Sequence, residues 1–362
     1  MPHPSRPVGQ SAVLGPSAVT HAVLRLLREQ YAFDATPMFD DLGVYHVPFE
    51  SMCDGVPVET QLRVGALRGE RIALIADSGC GKSSVISFVL GPMAEGVYPV
   101  LVPVHSLMQD AASPGRIADA VISQLARDVH LVLNSNSDAL HTSGSRREVT
   151  QSGGRLRRLG VRAPAGTLRA EVAEEIGRQI TTTQQIELPE KIEVIYQGLR
   201  PLHEDSLMPV FVFDDSDRWS APQEEGIVEG FFTEAIRWLT DLPAAVVVAM
   251  HSHYLNSGRG GSKLLAFLDT KVELPRLPAA AQLGRILLER ARIHVENEGS
   301  LGAPPELTEI VTDSALRVLF DQYDSGKSLR QVLQLAHHAL AEATDAGAEA
   351  LEDHHIVAAI RA

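Results

Sequence analysis

Residues Ala76-Asp77-Ser78-Gly79-Cys80-Gly81-Lys82-Ser83 carry the types and spacing of a phosphate-binding loop. They stand between an apolar run, Ile72-Ala73-Leu74-Ile75, and a helix-like stretch from Ser83 to Leu90. Glycines let backbone N–H groups close around phosphates, a lysine reaches the β- and γ-phosphates, and a Ser hydroxyl ligates Mg²⁺. Lys82 and Ser83 take those two roles, and Ser84 is counted with the loop as nucleotide-binding. A helix N-terminus behind the loop adds partial positive charge. One position departs from G-x-x-x-x-G-K-[ST]: the first glycine is Ala76, small enough to fit. The expected ligands are ATP and Mg²⁺.

A second motif supports the first. Val210-Phe211-Val212-Phe213 is a continuous apolar run, the pattern of a parallel strand covered on both faces, and it ends in Asp214-Asp215. Asp214 is expected to hold Mg²⁺ beside the phosphates, and Asp215 to orient the attacking water. Asp is one methylene shorter than the Glu common at that point, so slow hydrolysis is expected. The run Ala244 to Met250 reads as a further core strand, ending in His251-Ser252-His253. A polar residue there, His251 or Ser252, is expected to face the γ-phosphate. No other ligand spacing makes the His pair a metal site.

The elements that must position these residues alternate. Strands are expected at Arg71–Ile75, Tyr98–Val104, the run before Asp214, Ala244–Met250 and Lys271–Leu274. Helical spacing appears from Ser17, taken as an N-cap, from about Gln61, and from Gly115 to Leu133. It resumes at Leu168 to Thr183, Glu190 to Leu202 and Phe231 to Leu239. Such alternation predicts a parallel α/β sheet. Residues 33–60 show no clear pattern. From Ala279 the chain turns all-helical, with helices expected at Ala280–Glu296, Glu306–Gln322, Ser328–Ala343 and Glu352–Ile360.

With 362 residues the chain has room for one large or two moderate domains. Hydrophobic residues at 44% and charged residues at 22% suit a soluble globular protein. No apolar run reaches the ~18 residues of a membrane span. The stretch Met1–Pro7 lacks the apolar core of a signal peptide, and only Cys53 and Cys80 are cysteines, so a reducing cytoplasm is expected. Acidic residues outnumber basic ones 46 to 32, a formal charge of −14, which gives no bulk attraction to DNA or anionic membrane. Residues 134–165 break the pattern as an Arg-, Ser- and Gly-rich insertion carrying Arg146, Arg147, Arg155, Arg157, Arg158 and Arg162. Two readings stand for it: a solvated excursion, or a contact with nucleic-acid phosphates or an acidic partner.

In this order the parts resemble an AAA+ ATPase of the initiator and origin-recognition type, with features of the related STAND and KAP-like NTPases of prokaryotes. Gly79-Cys80-Gly81-Lys82-Ser83 is similar to a Walker A motif. Asp214-Asp215-Ser216-Asp217-Arg218 resembles the D-D-x-D-R Walker B of KAP-like proteins. Leu274-Pro275-Arg276-Leu277, followed by a helix with Arg285, Leu287, Leu288 and Arg290, resembles the passage into an initiator-type lid. Gly326-Lys327-Ser328-Leu329-Arg330 resembles the G-x-x-R start of a lid helix, one residue longer. The resemblance implies an α/β fold: a parallel-sheet P-loop NTPase core of the ASCE/AAA+ class with a C-terminal all-helical lid. It implies an N-terminal arm and helix over 1–44, a core over 45–277 and a lid over 278–362. Arg330 would then act as the sensor 2 arginine.

The resemblance further implies a slow ATPase serving as a nucleotide-dependent switch for a protein partner, in a mobile-element or phage-defence setting. The alternative is a DNA-bound, homo-oligomeric assembly of the transposition-regulator or loader type. A third reading is a subunit that holds nucleotide without turnover. An arginine finger commonly precedes the last core strand, but Leu268-Asp269-Thr270-Lys271 stands there, and the nearest upstream arginine is Arg259. Initiators carry a DNA-binding domain after the lid. With the sequence running to Ala362, target recognition is expected from the insertion, the N-terminal arm or another protein.

Overall fold

The structure, a computed structural model, describes residues 16–34, 42–91, 94–104, 107–125, 187–214, 225–256, 266–298 and 306–362. It divides into two units, one of Pro37–Arg276 and one of Met1–Thr36 with Leu277–Ala362. In chain order the first elements are α1 (Pro16–Glu29), α2 (Val58–Leu67), β1 (Arg71–Ala76), α3 (Lys82–Leu90), β2 (Val97–Pro103) and α4 (114–125). They continue with α5 (Leu188–Glu204), β3 (Met208–Asp214), α6 (Glu225–Gly230), β4 (Ala245–His251) and β5 (Thr270–Glu273). The last are α7 (Ala280–Glu298), α8 (Asp313–Asp324), α9 (Leu329–Asp345) and α10 (Asp353–Arg361).

The Pro37–Arg276 unit is α/β. Its five strands lie in the order β2-β3-β4-β1-β5, and every pair is parallel. Parallel strands need both faces covered, which is why β1, β3 and β4 are near-continuous apolar runs buried almost throughout. Side chains alternate between the faces. Ala73, Ile75, Phe211, Phe213, Val246 and Val248 share one core with Ile117 and Val121 of α4 and with Ile195 and Leu199 of α5. Ile72, Leu74, Val210, Val212 and Val247 therefore face the other way, where α2 packs so closely that a Cβ on Gly65 would stand 2.8 Å from Ile72.

The connections follow one rule with one exception. From β2 to β3, β3 to β4 and β4 to β5 the chain steps the same way across the sheet, while from β1 to β2 it steps the opposite way. Right-handed crossovers then put α3 on the face opposite α4 and α5. The carboxyl end of β1 is thus the point where the sheet's winding reverses, the place where open α/β sheets form a crevice.

Several local expectations change. Pro16 opens α1, so Ser17 lies inside its first turn; proline's fixed φ and missing N–H suit that position. The helix expected from Gln61 begins at Val58. Phe231 to Leu239 is a π-helical turn, Phe231–Ala235, followed by a 3₁₀ turn, Arg237–Asp241. Phe231, Phe232, Ala235, Ile236, Trp238 and Leu239 are all buried, more of the circumference than one α-helical stripe covers. Glu306 to Gln322 is likewise broken. Thr312 caps α8 by accepting from the Ala315 N–H at 3.3 Å, and Val311 bridges to Leu351.

The other unit is helical, and α1 belongs to it. Arg28 donates to Thr344 at 2.8 Å and pairs with Asp345 at the end of α9. Buried Arg290 of α7 donates to the carbonyls of Ala32 and Asp34 at 3.2 and 2.8 Å, just past α1. No helix among the described residues is long and apolar enough to cross a membrane.

Candidate functional site

The site grows from the end of β1. Ala76 is level with His251 of β4, and the chain then turns through residues 77–81 into α3. Gly79 and Gly81 take positive φ values of 71° and 102°, which side chains other than glycine rarely adopt. Gly81 is the N-cap of α3, and no side chain caps the helix there. Helix geometry leaves the first amides of such a helix without intrahelical acceptors.

Lys82, only 5% exposed, folds back over its own loop. Its Nζ donates to the carbonyls of Ala76 and Asp77, both at 3.0 Å. Ser83 and Ser84 follow in the first turn of α3. Neither Cys80 in this loop nor buried Cys53 forms a disulfide. Burial, then the charges of Asp54 and Glu59, push the Cys53 thiol up.

β4 stitches itself to the loop. The Ser252 N–H donates to the Ala76 carbonyl at 3.3 Å, and its hydroxyl donates to the Asp77 carboxylate. His251 turns to local contacts: Nδ1 accepts from the His253 N–H at 3.0 Å, and the ring lies 6.1 Å from that of Tyr254. Asp214 ends β3, half-buried. Strand alternation sends it to the face opposite Phe213, the face that α3 covers.

Ala76, Asp77, Lys82, His251 and Ser252 thus come together, with Asp214 at the end of the strand beyond β4. Arg330 lies in the helical unit, exposed in the first turn of α9. Its surroundings have a local explanation. Gly326, at φ 111°, ends α8 in a Schellman turn, with Gly326 N–H to Tyr323 carbonyl and Lys327 N–H to Gln322 carbonyl, both 3.1 Å. Ser328 and Gln331 then form the capping box that opens α9. Asp215, Arg259 and the six arginines of the 134–165 insertion lie outside the described residues.

Sequence reasoning missed the support behind α3. Buried His46 bonds Glu59 through Nε2 at 2.8 Å and Ser84 through Nδ1 at 3.1 Å. Glu59 also accepts the Phe49 N–H at 2.7 Å, and the Ser84 hydroxyl lies 3.2 Å from the Leu42 carbonyl. Burial pushes the Glu59 carboxyl up, but the bonds from His46 and Phe49 outweigh it and hold the group below its ordinary range. Pro57-Val58-Glu59 does read as a helix start. His46 carried no signal, because its partners are brought to it by tertiary packing.

Compared with known proteins, the chain matches no family model and no curated sequence.

Proposed function

We propose that this chain is a P-loop ATPase of the ASCE/AAA+ class, acting as an ATP-dependent switch for a partner protein. The observation that carries the reading is the meeting of motif and topology. The only G-x-G-K-S in the chain stands at the end of β1, where the sheet reverses its winding, with the strand of Asp214 one strand away beyond β4. A loop of this composition after β2, β3 or β5 would not border the point where the winding reverses.

The residues present fit ATP and Mg²⁺. The α3 start is uncapped, and the Lys82 ammonium is held at the loop, ready to exchange two carbonyls for phosphate oxygens. Ser83 and Asp214 are the residues to hold Mg²⁺, which would neutralise phosphate charge. Asp215 is assigned to orient the attacking water. Ser252, bonded to Asp77, carries changes in the loop to β4. Arg330, with an always-charged guanidinium, is assigned to the γ-phosphate when nucleotide is bound. A switch requires that ATP and ADP favour different states of the chain, and a guanidinium that meets only the γ-phosphate would supply that difference.

The test is ATP turnover by the purified protein, alone and with duplex DNA, with Lys82→Ala beside it. Slow turnover, absent in the variant and indifferent to DNA, is expected. Stimulation by DNA that the variant loses would replace the switch with the DNA-bound oligomeric reading. Equal turnover in both proteins would remove the ATPase assignment altogether.

A further inference from the structure

Hydrogen bonds from two directions converge on Ala76 and Asp77, where β1 becomes the loop. The Ala76 carbonyl accepts from Lys82 Nζ at 3.0 Å and from the Ser252 N–H at 3.3 Å. The Asp77 carbonyl accepts from Lys82 Nζ at 3.0 Å, while the Asp77 carboxylate accepts from the Ser252 hydroxyl. Strand register sets this up. Ala76 is level with His251, so the next residue of each chain meets the other.

Asp77 therefore gives its main-chain oxygen to the lysine and its carboxylate to the residue after β4. Electrostatics alone favours a different choice. An ammonium gains more from a carboxylate than from a neutral carbonyl, and burial of Lys82 strengthens any such pairing. The ammonium already touches the main chain of Asp77, so rotation of that one short side chain between its staggered positions would offer it the carboxylate. Among the described residues, Ser252 is the carboxylate's one hydrogen-bond partner, and it holds the group elsewhere.

We propose that Ser252 is a positioning residue of the nucleotide site, which keeps the Asp77 carboxylate turned away from Lys82 so that the ammonium stays available to phosphate. The proposal rests on the nucleotide-binding role of the loop. Two carbonyls are weak competitors that a polyphosphate displaces. A carboxylate fixed in the same loop is a strong one, present at high effective concentration, and it would also set negative charge against the phosphates. The hydroxyl expected from sequence at the γ-phosphate is instead committed to Asp77. The backbone of Ser252 is held independently of that hydroxyl. Its N–H bonds Ala76, and its carbonyl accepts from the Leu255 N–H at 3.1 Å. Removing the hydroxyl thus changes the partner of the carboxylate and leaves the strand end in place.

The experiment measures Mg²⁺–ATP affinity of the full chain as wild type, as Ser252→Ala, and as Ser252→Ala combined with Asp77→Asn. Ser252→Ala is expected to bind about threefold to tenfold more weakly than wild type. The second change removes the competing charge and is expected to restore the lost affinity. A merely structural contact gives no such rescue, because a second lesion in the same loop then adds to the first or does nothing. Unchanged affinity in Ser252→Ala, or a double variant that binds no tighter than the single one, overturns the proposal. A crystal structure of Ser252→Ala without nucleotide gives a readout that needs no ATP. It is expected to show the Asp77 carboxylate paired with Lys82 Nζ, and a carboxylate that stays clear of the ammonium overturns the proposal as well. If wild type binds no ATP, the nucleotide reading falls, while that structure still decides whether Ser252 keeps the carboxylate from the lysine.

Discussion

The tripeptide Gly-Lys-Ser occurs twice in this chain, once in each unit, and its two copies do opposite things. At Gly81-Lys82-Ser83 it follows a strand and begins a helix; at Gly326-Lys327-Ser328 it follows one helix and begins another. Both glycines sit at positive φ, 102° and 111°. The first leaves the start of α3 without a side-chain cap. The second closes α8 with two backbone bonds, and its serine caps α9. Lys82 is buried against loop carbonyls, whereas Lys327 is exposed. The same residues leave a helix start without a side-chain cap in one place and supply such a cap in the other. What differs is the preceding element: a strand delivers the turn to the carboxyl end of a sheet, while a helix brings its own unpaired carbonyls to be satisfied.

The sharpest way to break this comparison is to remove each lysine in turn. Lys82→Ala should weaken ATP by about 100-fold, the range for losing a bond to a charged group. Lys327→Ala should leave ATP affinity unchanged, and isothermal titration of both variants decides it. Equal losses would mean that the second copy also meets nucleotide. A smaller effect is expected from Gly326→Ala. A Cβ there meets nothing within 4 Å, so its cost is that of the backbone angle alone, about 1–2 kcal/mol, read as lower thermal stability. ATP affinity should stay at the wild-type value. The smallest effect sharpens the boundary between the two copies. Arg330, two residues past Ser328, should on change to Ala weaken ATP about fivefold more than ADP. Equal effects on both nucleotides would leave the second Gly-Lys-Ser purely a helix junction, with no sensor attached.

How far the sequence carried depended on the range of the forces involved. Strands β1, β3 and β4 were legible because a strand buried on both faces must be apolar without interruption. Ser328 was legible as the start of α9 because a capping box is complete within four residues. The π turn at Phe231 was not, since it depends on how many neighbours crowd the helix from outside. Segment 42–59 was opaque for a related reason. His46 pairs with a residue 13 positions away and with another 38 away, and no periodicity encodes such pairing. The bond from Ser252 to Asp77 spans 175 positions, so proximity to the loop was readable for Ser252 but not the partner it takes.

The membership of α1 in the helical unit has a consequence for how the chain is made. Its bond from Arg28 to Thr344 joins residues 316 positions apart, with the whole α/β unit between them. On a ribosome the α/β unit is complete before α7 to α10 have emerged, and domains fold as units during synthesis. The apolar side of α1, with Val23, Leu24 and Leu27 buried in the finished protein, is therefore made before the α/β unit and covered only after it. Closing so long a loop costs little more entropy than closing one half its length. What it costs is waiting, with an unpaired amphipathic helix exposed to chaperones while the α/β unit is made.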